Sequence, residues 1–265
     1  VISYLVVAVA ALFVSGLTMY SGFGLGTLLL PVFALFFPVE TAVAATAVVH
    51  GANNGFKVSL LGKHADRAVV LKFGIPALLA AVFGAAALGY VSHFGEIATY
   101  RLLGTTATIT PIKLLIGVLM LGFALFELLP RFKKLKFSKD YLFLGGIVSG
   151  FFGGLSGHQG ALRSAFLAKV GITAQAFVGS NAVIGCMVDA ARIAVYAYIF
   201  LVAGDAGAEA LSAGQAPLVA TGIVFAFAGV LIGKRYLHKV TMSVVQTITG
   251  ILLAGIALAL GAGLI

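Results

Sequence analysis

Charge is what this sequence has least of. Only 9% of its 265 residues are Asp, Glu, Lys or Arg, and none stands between Val1 and Val39. Soluble domains carry about 25% charged residues, so a water-exposed surface cannot be built from this chain. Acids are scarcest: eight, mostly at segment ends, against 17 lysines and arginines. Scattered carboxylates do not provide the clustered ligands a metal centre needs, so neither a metal nor a cofactor is expected. With Cys186 as the single cysteine, an internal disulfide is excluded and the redox compartment is left open.

What is present is apolar length. Hydrophobic residues make up 61% of the chain and the mean hydropathy is +1.14. Uncharged runs recur at Val1 to Val39, Phe73 to Gly95, Val170 to Val188, Ala210 to Gly233 and Val240 to Ile265. A spanning helix needs about 20 such residues, so the fold class is an all-α polytopic membrane protein. The first 20 residues could pass for a signal-peptide core, but they lack a basic leader and flow straight into a glycine segment. The net charge of +9 does not imply nucleic-acid binding, because the basic residues sit in short loops between apolar runs.

Length, charge and glycine breaks place the elements. The first half reads as helices near 2–20, 27–37, 40–62, 68–92 and 111–129, and the second as helices near 141–155, 161–170, 174–203, 215–233 and 243–263. The halves also align. A shift of 135 carries Ser21-Gly22 onto Ser156-Gly157, "TAVV" at Thr46 onto "NAVI" at Asn181, Glu40 onto Gln175, Asn54 onto Asp189 and Lys57 onto Arg192. Residues 1–130 therefore read as one transmembrane repeat, 131–139 as a basic linker and 140–265 as a second repeat.

Basic loops fix the orientation. Lys63, Arg67 and Lys72, then the linker from Arg131 to Lys139, then Lys234, Arg235 and Lys239 fall on one side, whereas the opposite loops hold Arg101 and Lys113. The richer side is expected to be cytoplasmic. Corresponding loops of the two halves then lie on opposite faces, which is the inverted-topology plan of many secondary transporters. Each half opens with a glycine-broken helix and half-helix, followed by three spanning helices. The opening pair is either a re-entrant hairpin or two full spans, and the parity of crossings is the same for both.

The breaks, "SGFGLG" from Ser21 and "SGHQG" from Ser156, each precede an apolar segment of half-bilayer length. Non-helical backbone at membrane depth survives only where protein buries it or where it lines a cavity. Two helix N-termini meeting there would present amide donors and positive dipole ends to a small anion. Helix packing is the competing use of glycine. The candidate binding residues on the breaks are Ser21, Gly22, Gly24, Gly26 and Thr27, then Ser156, Gly157, His158, Gln159, Gly160 and Arg163. The long third helix of each half adds Asn53, Asn54 and Lys57, and Asn181, Asp189 and Arg192, at spacings that share one face. Lys57 reads either as a ligand or as a side chain reaching the interface. Arg192 reads either as anion-binding with Asp189 orienting it or as half of a neutral pair. His50, His158 or Asp189 could carry a coupling proton.

At these residues the chain resembles the sulfite exporter TauE/SafE family, also called the 4-toluene sulfonate uptake permeases. The resemblance covers nearly the whole length and rests on the paired segments "VSGLTMYSGFGLGTLLLPVF" and "VSGFFGGLSGHQGALRSAFL", with the following "AATAVVHGANNGFK" and "GSNAVIGCMVDAAR". The second break reads GHQG where members often carry a denser glycine string. The resemblance implies transport of sulfite, organosulfonates or related sulfur oxyanions across the bacterial inner membrane by a multi-pass carrier, not an enzyme. A proton or sodium ion is the expected coupling partner, and monomer and homodimer both stay open. Two rivals remain. One is an anion channel of the same fold. The other is an intramembrane serine protease built on Gly154-Leu155-Ser156-Gly157, for which His158, two residues on, is badly placed as the base and His50 could reach Ser156 only through folding.

Overall fold

The computed structural model describes residues 1–19, 25–102, 104–133, 137–202, 215–236 and 242–265. The first break therefore lies largely outside the described residues, Ser21, Gly22 and Gly24 included, as do residues 203–214. The helices are α1 (Ile2–Leu17), α2 (Leu25–Ala34), α3 (Val39–Leu61), α4 (Arg67–Ser92), α5 (Pro111–Leu128), α6 (Leu142–Ser156), α7 (Gly160–Leu167), α8 (Ala174–Val202), α9 (Ala216–Tyr236) and α10 (Met242–Gly261). Each begins within two residues of its expected start. Among the described residues α4, α5, most of α8 and α9 are long and apolar enough to cross a membrane, and the chain is an all-α polytopic membrane protein.

The boundaries follow local chemistry. Asp66 accepts the Val69 N–H at 2.9 Å and starts α4, while Thr110 accepts the Lys113 N–H ahead of Pro111, which needs no helical partner for its nitrogen. Pro76 has no N–H to offer the Lys72 carbonyl, and α4 widens to a π turn over Val70–Gly74 just before it. One departure from an all-helical chain is a β-hairpin between α4 and α5. Its strands β1 (Ala98–Leu102) and β2 (Thr105–Ile109) pair antiparallel, Ala98 opposite Ile109. Gly104, at φ +84°, supplies the turn. The hairpin docks on the end of α10, where the Gly263 carbonyl accepts the Thr108 N–H at 3.0 Å and the Tyr100 hydroxyl donates to Ala262 O at 2.6 Å.

Small residues set the helix pairings, as expected where no hydrophobic force separates helix from lipid. On α6, a Cβ at Gly146, Gly150 or Gly154 would strike the carbonyl of Phe73, Ala77 or Ala81 in turn, so α4 and α6 run parallel with backbones touching. On α9, Gly229 and Gly233 press on Leu12 and Gly16 of α1 in the same parallel sense. By contrast α5 and α10 run antiparallel, Gly117 meeting Ala257 and Gly250 meeting Ala124. So do α3 and α8, with Gly51 against Asp189 and Gly179 against Leu61. The α3/α8 pair lies at the centre and carries the polar side chains.

Candidate functional site

Helix α3 is 23 residues long, about 35 Å at 1.5 Å per residue, yet it buries His50, Asn53, Asn54 and Lys57. Helix α8 buries Ser180, Asn181, Asp189 and Arg192 opposite them. Polar groups of this kind inside an apolar bundle are costly unless they satisfy one another or a ligand.

Asp189 is the hub. Its Oδ2 lies 2.7 Å from His50 Nδ1 and accepts from Asn54 Nδ2 at 2.8 Å. Its Oδ1 accepts Arg192 Nε at 3.0 Å, lies 2.8 Å from Arg192 Nη2, and takes a longer bond from Gln159 Nε2 at 3.4 Å. Asn54 and Asp189, which the sequence shift of 135 aligns, are in direct contact.

The second break connects to this hub. Helix α6 ends at Ser156, Gly157 turns left-handed at φ +81°, and α7 begins at Gly160. A Cβ on Gly157 would come within 2.6 Å of Arg192 Nη1, so the dihedral disfavours a side chain there and any side chain would push the guanidinium aside. The Ser149 hydroxyl holds the break by donating to Gln159 O at 3.0 Å. Gln159 Oε1 accepts Arg163 Nη1 at 3.0 Å, and Asn181 Oδ1 accepts Arg163 Nε at 2.7 Å. Arg163 is 1% exposed and Arg192 0%, the two largest fully enclosed side chains described. Across from them, a Cβ on Gly26 in the first turn of α2 would lie 3.1 Å from Gly157 O and 3.4 Å from His50 Cδ2. The start of α2 and the second break thus meet beside His50.

Other expected residues stand apart from the hub. Lys57 is buried, at 7% exposure, so it does not reach out to an interface. Asn53 faces α1, where its Oδ1 accepts the Ser15 hydroxyl at 2.9 Å. Thr27 is buried in the first turn of α2. His158 stacks on Phe123 of α5, centroids 5.0 Å apart. Its Nδ1 lies 3.0 Å from Ser156 Oγ, which corrects the expectation that these two residues are badly placed for each other. The turn at Gly157 folds the chain back and brings them together. The Ser156 hydroxyl also donates to Phe152 O at 3.2 Å, and among the described residues His158 Nε2 has no partner, so no third group orients the imidazole.

Sequence reasoning passed over three supports: Ser15, Ser149 and Tyr196, whose hydroxyl donates to Gly154 O. Tyr196 lies one helical turn beyond Arg192, a spacing that marks the same face. No group of three or more potential metal ligands occurs among the described residues.

The cluster is therefore a sealed, cation-rich contact between α3, α8 and a glycine turn. No curated protein matches the chain. The sulfite exporter TauE/SafE family matches over residues 4–260, and the chain belongs to that family.

Proposed function

We propose that the protein is a secondary carrier that binds a small sulfur oxyanion between its two halves, at the contact of α3, α8 and the glycine breaks. Family membership makes it a multi-pass membrane transporter of sulfite or a related anion. The observation that carries the finer reading is the charge of the sealed cluster. With the histidines neutral, Arg163 and Arg192 share a hydrogen-bonded network with one carboxylate, Asp189, Lys57 lies within electrostatic reach of Arg163, and all four are at most 7% exposed. Two positive charges remain, and a doubly charged oxyanion such as sulfite neutralises them. Arg163 and Arg192 supply fork-shaped donors suited to sulfur oxygens. Asp189 holds Arg192 in place and competes with the anion for it.

An inverted pair of repeats, 1–130 and 140–265, is supported by the antiparallel course of the corresponding helices α3 and α8, and of α5 and α10. It is supported also by the bond between the equivalent residues Asn54 and Asp189, which puts them beside the pseudo-two-fold axis. Burial of every charged member favours a carrier over an open channel, because the anion reaches the cluster only when one half moves against the other. The His50–Asp189 contact joins the halves and is the candidate proton carrier. The basic loops lie on the cytoplasmic side of the bacterial inner membrane.

Radiolabelled sulfite uptake into vesicles reconstituted with the purified protein tests the site. Arg163→Gln removes a buried charge while keeping donors for Asn181. Uptake is expected to fall at least tenfold, the ratio for about 1.4 kcal/mol of lost anion binding. Uptake at the wild-type rate would remove Arg163 from the site.

A further inference from the structure

The parallel pair α4 and α6 carries a second candidate site on its outer surface, away from the buried cluster. Because glycines bring these two backbones into contact, the side chains flanking the crossing stand up as walls. They enclose an apolar cavity of about 410 Å³, with Ile75, Leu79 and Phe83 on one side and Phe143 and Ile147 on the other. Leu79, Phe83 and Phe143 are each more than half exposed. Pro76 lines the cavity and Lys72 stands at its end.

A second cavity, of about 550 Å³, shares Lys72 and Phe143 with the first, so the two adjoin. It is polar where the first is apolar, and adds Asp66, Lys139 and Asp140. The depth of the junction fits a lipid headgroup. The apolar helix Arg67–Ser92 has 26 residues, about 39 Å, enough for the hydrocarbon core and part of both headgroup layers. Lys72 lies about 8 Å along it, and from Lys72 to Phe83 the groove runs about 16 Å, close to one leaflet.

The charges select the headgroup. Asp66 Oδ1 accepts the Val69 N–H and Asp140 Oδ2 accepts the Ser138 hydroxyl at 2.7 Å, which leaves each carboxylate a second oxygen. Neither Lys72 nor Lys139 has an ion-pair partner among the described residues. Two ammoniums and two carboxylates around one cavity complement a phosphate joined to a primary amine. We propose that these cavities bind one phosphatidylethanolamine molecule, an acyl chain in the groove, its phosphate at Lys72 and Lys139, and its ammonium against Asp66 and Asp140. A phosphatidylglycerol headgroup carries the same phosphate but ends in neutral hydroxyls and leaves the two carboxylates without a cation, and a choline headgroup has no N–H to donate. A second copy of the chain pressed on the groove would leave the charged cavity unfilled.

The test is native mass spectrometry of the full chain released from nanodiscs of equal parts phosphatidylethanolamine, phosphatidylglycerol and phosphatidylcholine. One retained phosphatidylethanolamine is expected, favoured about fivefold over either competitor, as one interfacial charge contact gives. Asp66→Asn with Asp140→Asn keeps the hydrogen-bond acceptors and is expected to abolish that preference while a phospholipid is still retained. Lys72→Gln with Lys139→Gln is expected to lose the retained lipid. Leu79→Trp, which fills the groove, should lose it too; Lys72, Lys139 and Asp140 are exposed and asparagine at position 66 can still cap α4, so those variants keep the test open if the tryptophan misfolds. Retained lipid that mirrors the bulk mixture, a phosphatidylglycerol preference, or a lipid-free dimer would overturn the proposal without bearing on sulfite uptake.

Discussion

Replacing Asp189 with asparagine keeps the side chain's shape and removes the one carboxylate in the buried cluster. Arg192 then loses its partner at 2.8 Å while remaining 0% exposed, and Arg163 stays in the same network through Gln159. Breaking a buried ion pair on one side costs about 3–5 kcal/mol, because the other charge is left uncompensated. That is a large share of the roughly 5–15 kcal/mol that holds a folded protein together. The readout is the inactivation half-life of detergent-purified protein at a fixed temperature, which is expected to shorten on the order of 100-fold. Two controls isolate the charge. Asp189→Asn combined with Arg192→Gln restores the wild-type charge count and should recover much of the lost half-life, so the two changes are strongly non-additive. Added sulfite should protect Asp189→Asn more than the wild type, because its cluster carries one more uncompensated cation. A single variant as long-lived as the wild type, or a double variant whose loss is the plain sum of the two singles, would refute the assignment of Asp189 as the compensating charge.

Gly157→Ala places a Cβ at φ +81° and within 2.6 Å of Arg192 Nη1, so a loss of about 1–2 kcal/mol from the dihedral alone is expected. Displacement of Arg192 should add a sharper loss of sulfite uptake, and equal, unchanged uptake in vesicles would show that the guanidinium does not depend on this turn. Gly150→Val drives a branched side chain into the Ala77 carbonyl, where overpacking costs about 1–3 kcal/mol or more. Membrane-inserted yield measured by fluorescence-detected gel filtration should collapse, whereas Gly55→Val, which has open space around it, should not change it.

The helix starts were legible from apolar length, from the charges of the loops and from the glycines around Ser156, and in the structure Pro38, Asp66 and Thr110 stand at the heads of α3, α4 and α5. The hairpin was not legible, although "ATYRL" and "TTATI" are rich in strand formers around Gly104, because two strands of five residues are short and their pairing is held by the docking on α10. That the polar residues of α3 and α8 share faces was legible, since helical spacing sets it. Their partners were not. Asn53 turns to Ser15, His158 to Phe123, and Ser156 to His158.

Composition and spacing alone determined that this chain spans a membrane with all-helical segments and that two of its long helices, α3 and α8, carry polar residues at spacings that share a face. The tertiary structure decided which of those polar groups meet: His50, Asn54, Gln159 and Arg192 converge on Asp189, and Lys57 is enclosed. Periodicity fixes a residue's direction only relative to its own helix axis. Segments apolar on every face leave their neighbours unspecified until glycine contacts, made only in the packed bundle, choose the pairing and the depth at which two helices cross.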